Sequence, residues 1–170
     1  CKNKYEGKVF KTNNYGDLVV TEYVNSDKVW VKFVETGYET SAEMGQIKKG
    51  TVKDKSVPEL YGVGVIGDEP ATIGGKNSKE YMFWSNVLKR CYNAVYRLKQ
   101  PTYIDCTTSE NFKHFSYFKE WCNKQIGFGN DGWHLDKDIL VKGNKIYSED
   151  TCCFVPREIN GLFTLRKNWR

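Results

Sequence analysis

Several things this sequence does without narrow its chemistry. Its six cysteines, at positions 1, 91, 106, 122, 152 and 153, include no C-x-x-C pair, which removes the usual basis of a four-thiolate zinc site. Their spacing is also unlike a secreted disulfide framework, so reduced, partly buried thiols in a cytoplasmic protein are expected. No apolar run approaches the roughly 20 residues of a membrane helix, and no signal peptide is visible. There is no internal repeat and no low-complexity tract. Histidine occurs only twice, at 114 and 134. The positive excess is small, +5, which permits a polyanionic partner without requiring one. The chain opens on Cys1 and not Met, so a preceding segment is an open expectation.

What is abundant is aromatic: five Trp, eleven Tyr and nine Phe, 15% of a chain that is only 39% hydrophobic. That composition argues against a disordered chain and points to aromatic-rich cores. A length of 170 residues fits one domain or two small ones. Charge is unevenly spread. Residues 1–65 carry ten Lys against nine acids, whereas residues 76–99 carry Lys76, Lys79, Lys89, Arg90, Arg97 and Lys99 against Glu80 alone. Arg166, Lys167 and Arg170 form a second basic group. A solvated helix face explains most such runs; nucleic-acid binding gains weight where other signals share the region.

Residues 6–65 read as β-structure. Val29, Val31 and Phe33 alternate with Trp30, Lys32 and Val34, and short β-branched stretches are separated by Asn-, Ser- and Gly-rich turns. Four or five strands in this length predict a small SH3-like barrel over 1–65, either purely structural or a docking module for DNA or a partner. Lys48 and Lys49 would lie at its basic exit. Residues 66–78, with three glycines, a proline and little apolar content, read as a linker. Residues 79–170 then form the second domain.

Ser78 is placed to cap a helix whose apolar stripe is Tyr81, Trp84, Val87, Leu88, Cys91 and Tyr92. A second helix over 110–125 repeats Phe112, Phe115, Phe118 and Trp121 every three residues, a pattern that favours core over a base-stacking platform. His114 beside it reads as structural or surface. Beyond the glycines at 127, 129 and 132, residues 133–140 read as a strand and Lys142, Gly143, Asn144 and Lys145 as a turn. Ile146 and Tyr147 begin a return strand, and residues 152–155 form an apolar run. Pro156 occupies a first helical position, and its helix continues through Leu162 and Phe163. Cys152 and Cys153 read as core. The fold class is therefore α+β, and strand, turn, strand, helix is a ββα outline.

The stretch His134, Leu135, Asp136, Lys137, Asp138 resembles the His-Leu-Asp-His-Asp signature of the phage recombination endonuclease VII family. More broadly it is similar to the Asp-His pair of HNH nucleases, the ββα-metal group that includes homing endonucleases. The stretch 135–163, with Asp136, Gly143, Tyr147, Cys152, Pro156 and Asn160, is similar to a widespread bacteriophage family of HNH-like proteins. The resemblance implies a DNA-binding protein with a metal-dependent endonuclease fold. It places Asp136 and Asn160 as ligands of a Mg²⁺ ion, with substrate phosphate and water completing the shell. Two departures stand out: Lys137 occupies the place of the base histidine, and the zinc-binding cysteine pairs are missing.

Flanking Asp136 and Asp138 favour a charged Lys137, which suits holding a phosphate better than activating water. The departure thus implies altered or lost catalysis. His134, two residues before Asp136 and on the same strand face, is the alternative base, or else a strand histidine that only packs. Lys79, Lys89, Arg90, Arg97, Lys99, Arg166 and Lys167 are the candidate DNA contacts. A nuclease fold turned to binding a host protein or a small ligand is the competing reading.

Overall fold

The computed structural model describes residues 3–165, and it is mixed α+β with five α-helices and four small sheets among those residues. The chain divides into two units, residues 1–57 and 58–170.

In the first unit β1 (Val9–Lys11), β2 (Asp17–Asn25), β3 (Lys28–Phe33) and β4 (Glu39–Ala42) form an antiparallel sheet in sequential order. The alternation read from β3 is realised: Val29, Val31 and Phe33 are buried while Lys28, Trp30 and Lys32 face out. The β2–β3 turn is set by Asn25, whose Oδ1 accepts from the N–H groups of Asp27 and Lys28, both at 2.9 Å. The sheet is an open meander and not the closed barrel expected from the strand count. Among the described residues of the first unit no strand follows β4. The chain turns instead into α1 (Met44–Lys49), started by a Glu43–Gln46 capping box, with Met44 and Ile47 on its buried face. The stretch read as a basic exit is this helix. It ends at Gly50, in the left-handed region at φ 68°, where a Cβ would stand 2.9 Å from the Lys11 carbonyl. Leu18, Val20, Ile47 and Val52 complete an aliphatic core.

The second unit begins before the segment read as a linker. Within 66–78, β5 (Thr72–Ile73) and β6 (Lys76–Asn77) form a hairpin, and Glu69 makes an ion pair of 2.6 Å with Lys119. Val65 exchanges backbone hydrogen bonds with Lys113 and Phe115, both at 2.9 Å. The segment thus belongs to the second unit and is fastened within it.

α2 (Lys79–Tyr92) starts where Ser78 Oγ accepts from Tyr81 N–H at 3.1 Å, and it buries Trp84, Val87, Leu88 and Cys91. Asn93 then caps a separate short helix, α3 (Ala94–Lys99). β7 (Thr107–Thr108) follows, then a 3-10 turn, Asn111–Lys113, and α4 (Phe115–Lys124), which buries Phe115, Phe118, Trp121 and Cys122. The aromatic stripe is core, as its period suggests: Phe112 stands 4.9 Å from both Phe118 and Trp121 between ring centroids.

β8 (Trp133–Asp136) pairs antiparallel with β10 (Cys153–Pro156), and α5 (Arg157–Leu165) follows directly. β9 (Ile146–Tyr147), read as the return strand, pairs in parallel with β7 instead. Pro156 closes β10, so the helix begins one residue later than its proline suggested. Arg157 N–H donates to Gly132 O at 2.9 Å, tying the head of α5 to the start of β8. Gly127 lets the chain into β8: a Cβ there would sit 2.1 Å from the Trp133 ring.

Candidate active site

β8 stops at Asp136 for a local reason. Asp136 Oδ1 accepts from the N–H groups of Asp138 at 2.6 Å and Ile139 at 2.8 Å, which pulls the chain out of the sheet. The expected strand to residue 140 is therefore cut short by its own aspartate. From Asp138 to Lys145 a loop follows, closed by Asn144. The Asn144 Nδ2 donates to Lys137 O at 3.0 Å and Ile146 O at 2.5 Å, while its Oδ1 accepts from Ile146 N–H at 3.1 Å.

Lys137 lies inside this loop, only 7% exposed. Its Nζ donates to Asp138 Oδ1 at 2.8 Å and to Asn144 O at 2.6 Å, and it stands 5.7 Å from the Tyr147 ring centroid. An ammonium has three N–H donors; two are spent on these oxygens. Both partners accept from it, so the geometry holds this side chain in place as a hydrogen-bond donor.

Around this loop opens a cleft of about 550 Å³. Its lining gathers the residues singled out from the sequence: His134, Asp136 and Lys137 from β8 and its loop, and Asn160 from α5. His134 is exposed and Asp136 half-buried. α2 supplies the facing wall through Phe83, Asn86, Val87 and Arg90, which recur at i, i+3, i+4 and i+7 and so share one helix face. This wall escaped the sequence reading. The signal was present, a second stripe beside the buried one, but Arg90 was counted with the solvent-facing basic residues.

Arg90 belongs to the cleft. Its guanidinium lies 5.5 Å from the Tyr103 ring centroid, and Nη1 donates to the Tyr147 hydroxyl at 3.3 Å. Burial pushes the Tyr147 phenol up, which keeps it a neutral acceptor for Arg90. Arg90 and Lys137 thus share a cleft with two carboxylates, Asp138, which accepts from Lys137, and Asp136, which already gives an oxygen to the backbone.

The other basic candidates are dispersed. Lys79 Nζ donates to Gly129 O at 3.1 Å, and it lines a separate hollow of about 210 Å³ beside Trp133. Lys89 stands 5.1 Å from the Tyr96 ring centroid. Arg97 is half-buried and Lys99 exposed on α3. Arg166 and Lys167 lie outside the described residues. His114 is exposed, ahead of α4 and away from the cleft lining. Burial pushes the thiols of Cys91 and Cys152 up to about 12, so neither is a nucleophile near neutrality.

No group of three or more His, Cys, Asp or Glu side chains stands close enough to cage a metal among the described residues. The donor set nevertheless fits the Mg²⁺ ion that the resemblance implies. Asp136 keeps Oδ1 for the backbone and has Oδ2 for a hard cation, and the Asn160 amide lines the same cleft. Such an ion takes most of its shell from phosphate and water. Comparison with protein-family models, with curated proteins and with solved structures gave no match to this chain. No helix among the described residues is long and apolar enough to cross a membrane.

Proposed function

We propose that the second unit is an HNH-like DNA-binding domain whose cleft hydrolyses a phosphodiester with Mg²⁺, in the manner of a bacteriophage endonuclease with altered catalysis. One observation carries the reading. The strand bearing His134 and Asp136 and the helix bearing Asn160 open on a single cleft, and that cleft also holds Arg90 and Lys137.

Asp136 and Asn160 would hold the metal, which supplies Lewis-acid stabilisation of the phosphate charge. Arg90, braced by Tyr103 and Tyr147, presents a planar fork of donors to the phosphate oxygens. Lys137, fixed by Asp138 and Asn144, adds positive charge without having to move. His134 takes the proton of the attacking water at a ring nitrogen. Exposure keeps that imidazole in contact with solvent, which suits the role. The Lys in place of the family's base histidine is then a change of base, with His134 in its stead.

The test is nicking of supercoiled plasmid with Mg²⁺ by the full chain. Asp136→Asn keeps an oxygen for the backbone turn while removing the charge, and it should abolish nicking together with Asn160→Ala. His134→Ala should slow nicking by about 10²- to 10⁴-fold. A chain that shifts DNA in a salt-sensitive way but never nicks it would reduce the reading to a binding fold. Neither signal would put a host protein or a small anionic ligand in its place.

A further inference from the structure

The first unit is close to charge balance, yet three of its lysines converge on one half-buried residue. The ammonium nitrogens of Lys4, Lys48 and Lys8 stand 5.2, 5.5 and 5.7 Å from the centroid of the Tyr5 ring. Any two of them therefore lie within about 11 Å of each other. They come from two elements: Lys4 and Lys8 from the turn before β1, and Lys48 from the last turn of α1.

The turn is fastened to the sheet. Gly7 N–H donates to Val20 O at 2.9 Å, and Val20 N–H donates to Lys8 O at 3.0 Å. The Tyr5 ring itself leans on Tyr23, with 5.6 Å between centroids. Both sides of the patch are thus carried by ordered backbone.

Ring attraction accounts for one cation well and for three poorly. A π-face draws an ammonium, but each further lysine adds repulsion from the charges already there. Nearby acids do not relieve it. Glu6 gives its Oε1 to Tyr23 N–H at 3.2 Å, and no ion pair among the described residues involves Lys4, Lys8 or Lys48. Lys4 and then Lys48 draw the Tyr5 phenol below its ordinary value, a sign of the positive field at this spot.

We infer that Lys4, Lys8 and Lys48, gathered on Tyr5, form a second DNA contact that holds the phosphate backbone without reading sequence. The choice of DNA over another polyanion rests on the reading of the cleft. The convergence of charge does not. Three phosphates neutralised here release counterions, so the patch contributes to affinity in a salt-dependent manner.

The experiment measures binding of the full chain to a labelled duplex in EDTA, where no cleavage occurs, across a salt series. Replacing Lys4, Lys8 and Lys48 together by Ala should make the slope of log K against log salt shallower by about 2.7, or about 0.9 per lost contact. Between 50 and 200 mM salt, that variant should lose roughly forty-fold less affinity than the parent. The triple Lys→Arg variant should restore the slope, and Tyr5→Phe, which keeps the ring, should leave it unchanged. An unchanged slope in the Ala variant overturns the inference. So does a change seen with single-stranded RNA but not with duplex DNA. A chain that binds DNA through these lysines yet never nicks plasmid would uphold the patch and sink the cleft reading alone.

Discussion

The two units solve the same problem of burial with different materials. The first has an aliphatic core, Leu18, Val20, Val29, Val31, Ile47 and Val52 with Phe33, arranged along strands that alternate in and out. The second packs Trp84, Phe112, Phe115, Phe118, Trp121 and Phe154 with four buried thiols around two helices. Its strands are two to four residues long. A ladder fixes its side chains by period, so nearly every position is committed to the sheet. Interlocked rings need little strand, and that leaves β8, its loop and one face of α2 available to a cleft. The proposed chemistry falls in the unit whose fold depends least on backbone ladders.

The sharpest way to break this contrast is to remove a ring. Phe118→Ala should cost the second unit about 3–5 kcal/mol, seen as an early loss of near-ultraviolet aromatic dichroism on heating. Leu18→Ala, at about 2–5 kcal/mol, should be read by far-ultraviolet loss of sheet with that aromatic signal retained. Both signals falling together in either variant would mean that the units unfold as one.

Alkali should separate the units almost as strongly. Burial raises the folded-state values of Cys91, Cys122 and Cys152 above their ordinary 9.0. A thiol so raised stays protonated in the folded chain after the unfolded chain has lost its proton. Its stability contribution is whole below pH 9 and is lost as pH climbs toward the folded value. At pH 10 each such thiol costs about 1.4 kcal/mol, or about 4 for the three. Among the described residues no cysteine lies in the first unit's core, so its melting should scarcely move. Equal alkaline destabilisation of both units would remove the thiols as the cause.

The smallest effect compares two turns. Asn144→Ala strips three hydrogen bonds from the loop that fixes Lys137 and should cost about 1–3 kcal/mol. Asn25→Ala, which loses two exposed backbone contacts, should cost about 1 kcal/mol. If Asn144→Ala is no worse than Asn25→Ala in a urea titration, the cleft loop is less strained for support than its geometry implies.

Local pattern made much of this legible. The β3 alternation, the Ser78 cap and the Phe112–Trp121 stripe each announce their element through spacing alone. Distant pairing did not show. β8 takes β10 as its partner, past the nearer β9, because Asp136 turns the chain away before a hairpin can close. The expected barrel is an open sheet, and the stretch read as its basic exit is a helix begun by Glu43 and Gln46. The motif named Asp136, His134 and Asn160, and these three line one cleft. The burial of Lys137 was not legible, since it depends on Asn144, which a sequence shows only as part of a turn.

Asp136 has one employment in the fold and, under the proposed reading, a second in cleavage, and the two come apart under drift. The side chain that faces the cleft also ends β8 by receiving two backbone N–H groups. Selection for folding alone retains an aspartate or asparagine there, long after selection for cleavage has lapsed. In a lineage that stops cutting, position 136 is therefore the last to record the change. Exposed His134, which the backbone does not need, is where divergence among descendants should first accumulate.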